Sequence, residues 1–127
     1  MSNELTPLAL ARLAGRSALS KKGFDVRILG VADLTSVCDY FVIASGDADV
    51  QVRAIAREVE KSLREAGYKA YHREGESVGN WILLDYIDVV VHIFYEPTRR
   101  FYALEKLWGD ATTEELSDEI VAAVNDR

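Results

Sequence analysis

Apolar positions along this chain switch between a helical spacing and an extended one, and the switches mark its elements. Thr6-Pro7 opens a first helix: threonine caps free N–H groups, and proline at the first helical position sacrifices no hydrogen bond. Leu8, Ala11 and Gly15 share one face, broadened by Leu10, Leu13 and Ala14 to about Leu19, and Lys21, Lys22 and Gly23 suit the end. Phe24, Val26 and Ile28 alternate with Asp25 and Arg27, which predicts a half-buried strand. Residues 40–44, YFVIA, are continuously apolar, as a strand covered on both faces requires. Ser45-Gly46-Asp47 then turns the chain, with Asp47 placed to cap a second helix. In that helix Val52, Ile55, Ala56, Val59, Leu63 and Ala66 recur at helical spacing, opposite Arg53, Arg57, Glu58, Glu60, Lys61 and Arg64.

Beyond Gly67 the pattern predicts a short strand at 68–72, a polar loop at 73–79, and strands at 81–86 and 88–95. Pro97 begins a helix running to Trp108, with Phe101, Leu104 and Trp108 assigned to the core and Arg100 and Tyr102 to the surface. Thr112 and Glu115 have the form of a capping box, opening a last helix with Leu116, Ile120, Ala123 and Val124 on one face. The order αββαβββαα predicts an α/β fold, a five-stranded mixed sheet with helices packed on it. Residues 1–110 form the body of the expected domain, and 111–127 an acidic C-terminal helix on it or extending from it.

Composition narrows the function. The chain has 127 residues, 49% apolar and 28% charged, the profile of one soluble globular domain. The longest apolar run carries three ionisable side chains, which is wrong for lipid, and no signal segment is apparent, so the cytoplasm is the expected compartment and no membrane partner is expected. Cys38 is the single cysteine, with no histidine at motif spacing, and reads as a buried or half-buried thiol. Net charge is −6, from 15 basic and 21 acidic residues, and the acids concentrate after Gly109. A phosphate-gripping protein would show a basic excess, so little direct nucleic-acid binding is expected and a basic protein partner is easier to accommodate.

Residues 79–95, GNWILLDYIDVVVHIFY, hold the candidate chemistry: Asp85 and Asp88, then His92. If the two strands form a hairpin with Tyr86 and Ile87 as its turn, the aspartates lie close together. His92 then sits four residues along the strand from Asp88, about 13 Å away, too far for one compact ligand set. With only His72 besides and no cysteine cluster, zinc is disfavoured. Turn aspartates and a hydrogen-bonded core histidine outweigh a two-carboxylate magnesium site. An enzyme reading would set Ser45-Gly46 near phosphates and metal on Asp85 and Asp88, yet no glycine-rich phosphate motif or Walker lysine supports it. Trp81, beside the Gly79-Asn80 turn, divides evenly between core and interface.

Several segments together resemble the ribosomal silencing factor family, also called Iojap. They are DYFVIASG at 39–46, Glu74-Gly75, GNWILLDY at 79–86, DVVVHIF at 88–94 and RFYALEKLW at 100–108. The likeness covers roughly residues 5–110 and leaves the acidic segment from Asp110 unexplained. It implies a nucleotidyltransferase-like fold without catalytic apparatus, no cofactor and no catalytic or metal site. It further implies binding to the large ribosomal subunit through its ribosomal protein fourteen, which blocks joining of the small subunit and lowers translation when nutrients are scarce. Organellar relatives are tied to large-subunit assembly, so an assembly scaffold is an alternative, and a homodimer is expected when the protein is free. Trp81, Leu83, Asp88 and Tyr102 are the expected docking residues. One departure stands out: the family commonly has glycine after the Asp-Tyr pair, where this chain has Ile87.

Overall fold

A computed structural model describes residues 4–117. Its elements are α1 (Pro7–Ser20), β1 (Phe24–Gly30), β2 (Tyr40–Gly46), α2 (Asp49–Glu65), β3 (His72–Glu74), β4 (Trp81–Asp85), β5 (Val89–Tyr95), α3 (Glu96–Tyr102), α4 (Leu104–Leu107) and β6 (Thr112–Leu116). The strands form one six-stranded mixed sheet in the order β3-β4-β5-β2-β1-β6, parallel only between β2 and β5.

The sheet separates two apolar layers. On one face α1 and α2 press Leu10, Ala14, Val52, Ile55, Val59 and Leu63 against Ile28, Val42, Ile82, Val91 and Ile93. On the other, Leu29, Phe41, Ile43, Val90 and Phe94 form a smaller cluster under Leu104 and Trp108. Strand β2 is therefore covered on both sides, which is why its sequence is continuously apolar rather than alternating. Helix α1 starts at Thr6, whose side chain accepts from the Ala9 N–H. It ends in a Schellman motif: Gly23 N–H donates to Ala18 O at 2.9 Å and Lys22 N–H to Leu19 O at 3.0 Å, with Lys22 at φ 64°.

Four expectations need correction. The sheet has six strands, not five, because residues 112–116 pair antiparallel with β1 instead of starting a helix. Threonine and glutamate at capping-box spacing serve equally well on an exposed edge strand, and the sheet offered β1 as a partner. Ile120, Ala123 and Val124, assigned to that helix, lie outside the described residues. The third strand falls at 72–74, not 68–72. The helix from Pro97 is broken after Tyr102 by Ala103, at φ 46° and ψ 51°. The break shifts the helical phase, so Leu104 and Trp108 reach the second core while Phe101 turns out to 81% exposure. Finally, Asp47 does not cap α2: Ala48 occupies that position and makes no side-chain cap bond.

The β4–β5 turn answers the glycine question. Tyr86 N–H donates to Val89 O at 2.8 Å, leaving Ile87 and Asp88 at the tip, one residue later than the spacing suggested. Asp88 N–H donates to Tyr86 O at 2.9 Å across Ile87, whose φ is 73°. This is the positive-φ γ-turn, a rare and strained form, occupied here by a β-branched residue. Asp85 supports it by accepting the Ile87 N–H at 2.8 Å. Ile87 is 60% exposed and so gains little from burial. Ile87→Gly is expected to stabilise the protein by about 0.5–1 kcal/mol, the relieved left-handed strain exceeding the entropy glycine brings to the unfolded chain. Urea denaturation checks this, and a lowered midpoint refutes it.

Candidate functional site: an aromatic face over a thin cover

Strands β4 and β5 place Trp81 opposite Phe94, Leu83 opposite His92 and Asp85 opposite Val90, all on the less protected side of the sheet. Trp81 is half-buried. It stacks on Phe94 at a centroid distance of 4.8 Å and meets the Tyr102 ring at 4.9 Å. Phe101 packs edge-on against Tyr102 at 5.1 Å. Phe101, Tyr102 and Leu107 are exposed by 81%, 53% and 74%, an unusual amount of apolar surface for one short segment.

His92 underpins this face. It is 5% exposed, and its Nδ1 accepts the Trp81 indole N–H at 3.0 Å. That bond orients the indole and assigns the imidazole proton to Nε2, which has no hydrogen-bond partner among the described residues. The ring sits among Phe41, Trp81 and Phe94, and burial pushes its pKa down to about 4. His92 is thus a neutral core histidine that fixes a tryptophan.

The short helices are held by a group that sequence reading overlooked. Arg99, 7% exposed, donates through Nη1 to the Asp25 carbonyl at 2.6 Å and to Ser45 Oγ at 2.7 Å. Its Nε and Nη2 grip both oxygens of Glu105, at 3.2 and 2.8 Å. One guanidinium thereby ties α3 to β1, to the end of β2 and to α4. Burial alone would raise the Glu105 carboxyl. The Arg99 hydrogen bonds and charge, with Arg27 beyond, outweigh it and leave the group below its usual range. Ser45, offered in sequence as a phosphate ligand, instead accepts from Arg99.

Of the expected docking residues, the structure brings Trp81, Leu83 and Tyr102 together. Asp88 lies at the hairpin tip, at the far end of β4 from Trp81, where its carbonyl accepts the N–H groups of Asp39 and Tyr40. The second carboxylate of the enzyme reading, Asp85, is spent on the turn. Among the described residues, no group of three or more His, Cys, Asp or Glu side chains is placed to hold a metal, and no helix is long and apolar enough to cross a membrane. Cys38 is buried, its thiol pushed up to about 11, first by burial and then by Asp39.

Comparison with known proteins gives this arrangement its family. Residues 4–127 match the family described as ribosomal silencing factor during starvation, taking in the segment after Asp110 that the motifs did not reach. The chain belongs to the ribosomal silencing factor family. A ribosomal silencing factor of Halalkalibacterium halodurans is 40% identical over 120 residues, covering 94% of this chain and 99% of that one. A crystal structure of a Chromobacterium violaceum protein superposes with a TM-score of 0.81 at 36% identity, covering 83% of this chain and 88% of the other. A mouse protein named for mitochondrial assembly of the ribosomal large subunit is 30% identical over 87 residues, 66% of this chain and 38% of its own length. In this silencing-factor chain, the segments that carry the likeness are largely those that build the aromatic face: β2, β4, β5 and the two short helices.

Proposed function

We propose that this chain is a non-catalytic factor of the cytoplasm that docks on the large ribosomal subunit through the face built by Trp81, Leu83 and Tyr102. The partner in this reading is ribosomal protein fourteen of that subunit, and occupancy there prevents the small subunit from joining, repressing translation under nutrient limitation. The carrying observation is the exposed aromatic group on α3 seated against Trp81, in a chain of the silencing-factor family. Amphipathic aromatic rings with a rigid base are what protein interfaces use as anchors, and the Trp81–His92 bond supplies the base. The body is nearly balanced in charge and the excess acid is C-terminal, which suits a basic protein better than bare RNA. Asp88, at the far end of β4, stands apart from this surface and enters the reading only as a peripheral contact, and pairing of free chains into a homodimer belongs to the same reading. A role as a scaffold in large-subunit assembly, suggested by the name of the mouse relative, would use the same docking step.

Co-sedimentation with isolated large subunits tests the proposal. Wild-type protein should pellet with the subunits and reduce formation of complete ribosomes when small subunits are added. Trp81→Ala should weaken binding at least about thirtyfold, as hot-spot truncations of about 2 kcal/mol do. Tyr102→Ala, at an exposed ring that the core does not need, should weaken it with the fold intact. Failure of the wild type to pellet sinks the proposal, and so does undiminished binding by both variants.

A further inference from the structure

A separate concavity opens on the helix side of the sheet, where the end of α2 meets residues 69–73 and Tyr86. Its volume is about 520 Å³, within the range of small-molecule sites. Tyr86, 8% exposed, is one of its lining residues, and its hydroxyl is buried beneath that lining with no hydrogen-bond partner among the described residues. A buried O–H left unmade is costly and uncommon, so a group that would complete it is the natural explanation. Burial, then the Glu60 charge, pushes the phenol up to about 12 against the opposing pull of Arg64 and Arg73. At neutral pH the group is therefore an O–H donor, near enough to Arg64 and Arg73 to feel their charge.

The charges around it are unbalanced. Arg73 is engaged by Glu60 at 2.8 Å and by Glu76 at 3.3 Å. Arg64 and Lys69, by contrast, make no ion pair or side-chain hydrogen bond among the described residues, although both line the cavity. Three cations (Arg64, Lys69, Arg73) against one carboxylate (Glu60) give the lining a net charge of +2 on a chain whose total is −6. Tyr71, 77% exposed, stands at the same rim, its ring making no aromatic contact among the described residues.

We propose that this cavity, lined by Glu60, Arg64, Lys69, Tyr71, Arg73 and Tyr86, binds a small phosphorylated ligand of nucleotide size. Phosphate oxygens accept from the Arg64 and Lys69 side chains, the Tyr86 hydroxyl joins them once the side chains that cover it give way, and a planar base lies against Tyr71. A single-stranded nucleic acid fits less well. It needs a basic track along several nucleotides, whereas this cationic cluster is local and the rest of the body is near neutral. The site shares no residue with the docking face and stands whether or not that face binds the ribosome.

Isothermal titration of the full chain with ADP, pyrophosphate, adenosine and short RNA oligomers tests this. ADP and pyrophosphate should bind competitively, and adenosine at least about tenfold more weakly than ADP, because charged hydrogen bonds carry the affinity. Arg64→Ala and Lys69→Ala, at exposed positions that the fold does not use, should each weaken ADP about tenfold. Tyr86→Phe should weaken ADP while leaving the melting temperature unchanged or raised, since it deletes an unsatisfied hydroxyl and keeps the ring. The proposal is overturned if neither ADP nor pyrophosphate binds at millimolar concentration, or if adenosine binds as well as ADP. Affinity that climbs with RNA length, or Arg64 and Lys69 variants that bind like the wild type, would overturn it equally.

Discussion

Replacing Arg99 with alanine is expected to cost about 3 kcal/mol of stability and to loosen the aromatic face. Removing one member of a buried ion pair costs about 3–5 kcal/mol, because the other charge is left without its partner. The lower end applies here: Glu105 retains 26% side-chain exposure, and Arg27 still reaches it at 3.6 Å. The same substitution frees Ser45 Oγ and the Asp25 carbonyl, so α3 loses its tie to the sheet. Tyr102 then leaves Trp81, and tryptophan fluorescence should shift in the native state before any unfolding. Arg99→Lys should recover only part of the loss, since an ammonium cannot reproduce the fork on Glu105. Urea denaturation measures the effect, and a cost under about 1 kcal/mol would show that the guanidinium is not the anchor. The pair also has an acid limit. The Glu105 carboxyl titrates below its ordinary range in the fold, so its stabilisation is complete above that range and fades as pH falls through the folded value.

Acidification from pH 6.5 to pH 4 is expected to remove about 3 kcal/mol more through His92 alone. The unfolded imidazole takes a proton near its ordinary value of 6.5, while the buried one resists until about 4. Between those values the unfolded chain binds more protons, so stability is full above 6.5 and falls as pH drops toward 4. Below that both states are protonated and the contribution is spent. Protonation also ends the Trp81 bond, because a charged imidazole has no acceptor nitrogen. His92→Gln keeps an acceptor for the indole but has nothing to titrate in this window. Urea midpoints at pH 7 and 4.5 should therefore separate much less for the variant than for the wild type. Equal separations would remove His92 as the cause.

Much of this fold could be read along the chain because its elements are locally consistent. The runs through Val52 and Leu63, and through Val91 and Ile93, state their period and their burial without outside help. What escaped reading depends on partners far away in sequence. Ala103 bears no mark of a left-handed residue, and only the docking of Leu104 and Trp108 on the second core selects that conformation. Residues 112–116 carry helix-start chemistry, and β1 claims them as a strand. Nothing next to Arg99 in the sequence sets it apart from Arg100. The burial of Arg99 is dictated by Asp25 and Ser45, 74 and 54 residues earlier. For the site, the aromatic residues were legible as candidates, but their grouping was not. Strand alternation put Leu83 on the face of Trp81, the docking of α3 brought Tyr102 to it, and the hairpin left Asp88 at the other end.

The strand order has one more consequence. The outermost strands among the described residues are β3 and β6, and both are poor templates for another chain. Strand β3 is three residues long, all polar and exposed, while β6 carries Glu114 and Glu115 on a five-residue strand. Short, charged edges discourage strand addition between copies, the commonest route by which open sheets aggregate. A protein that displays Phe101, Tyr102 and Leu107 to solvent has particular need of that protection, since its stickiest surface then meets others through side chains alone, where shape decides the partner.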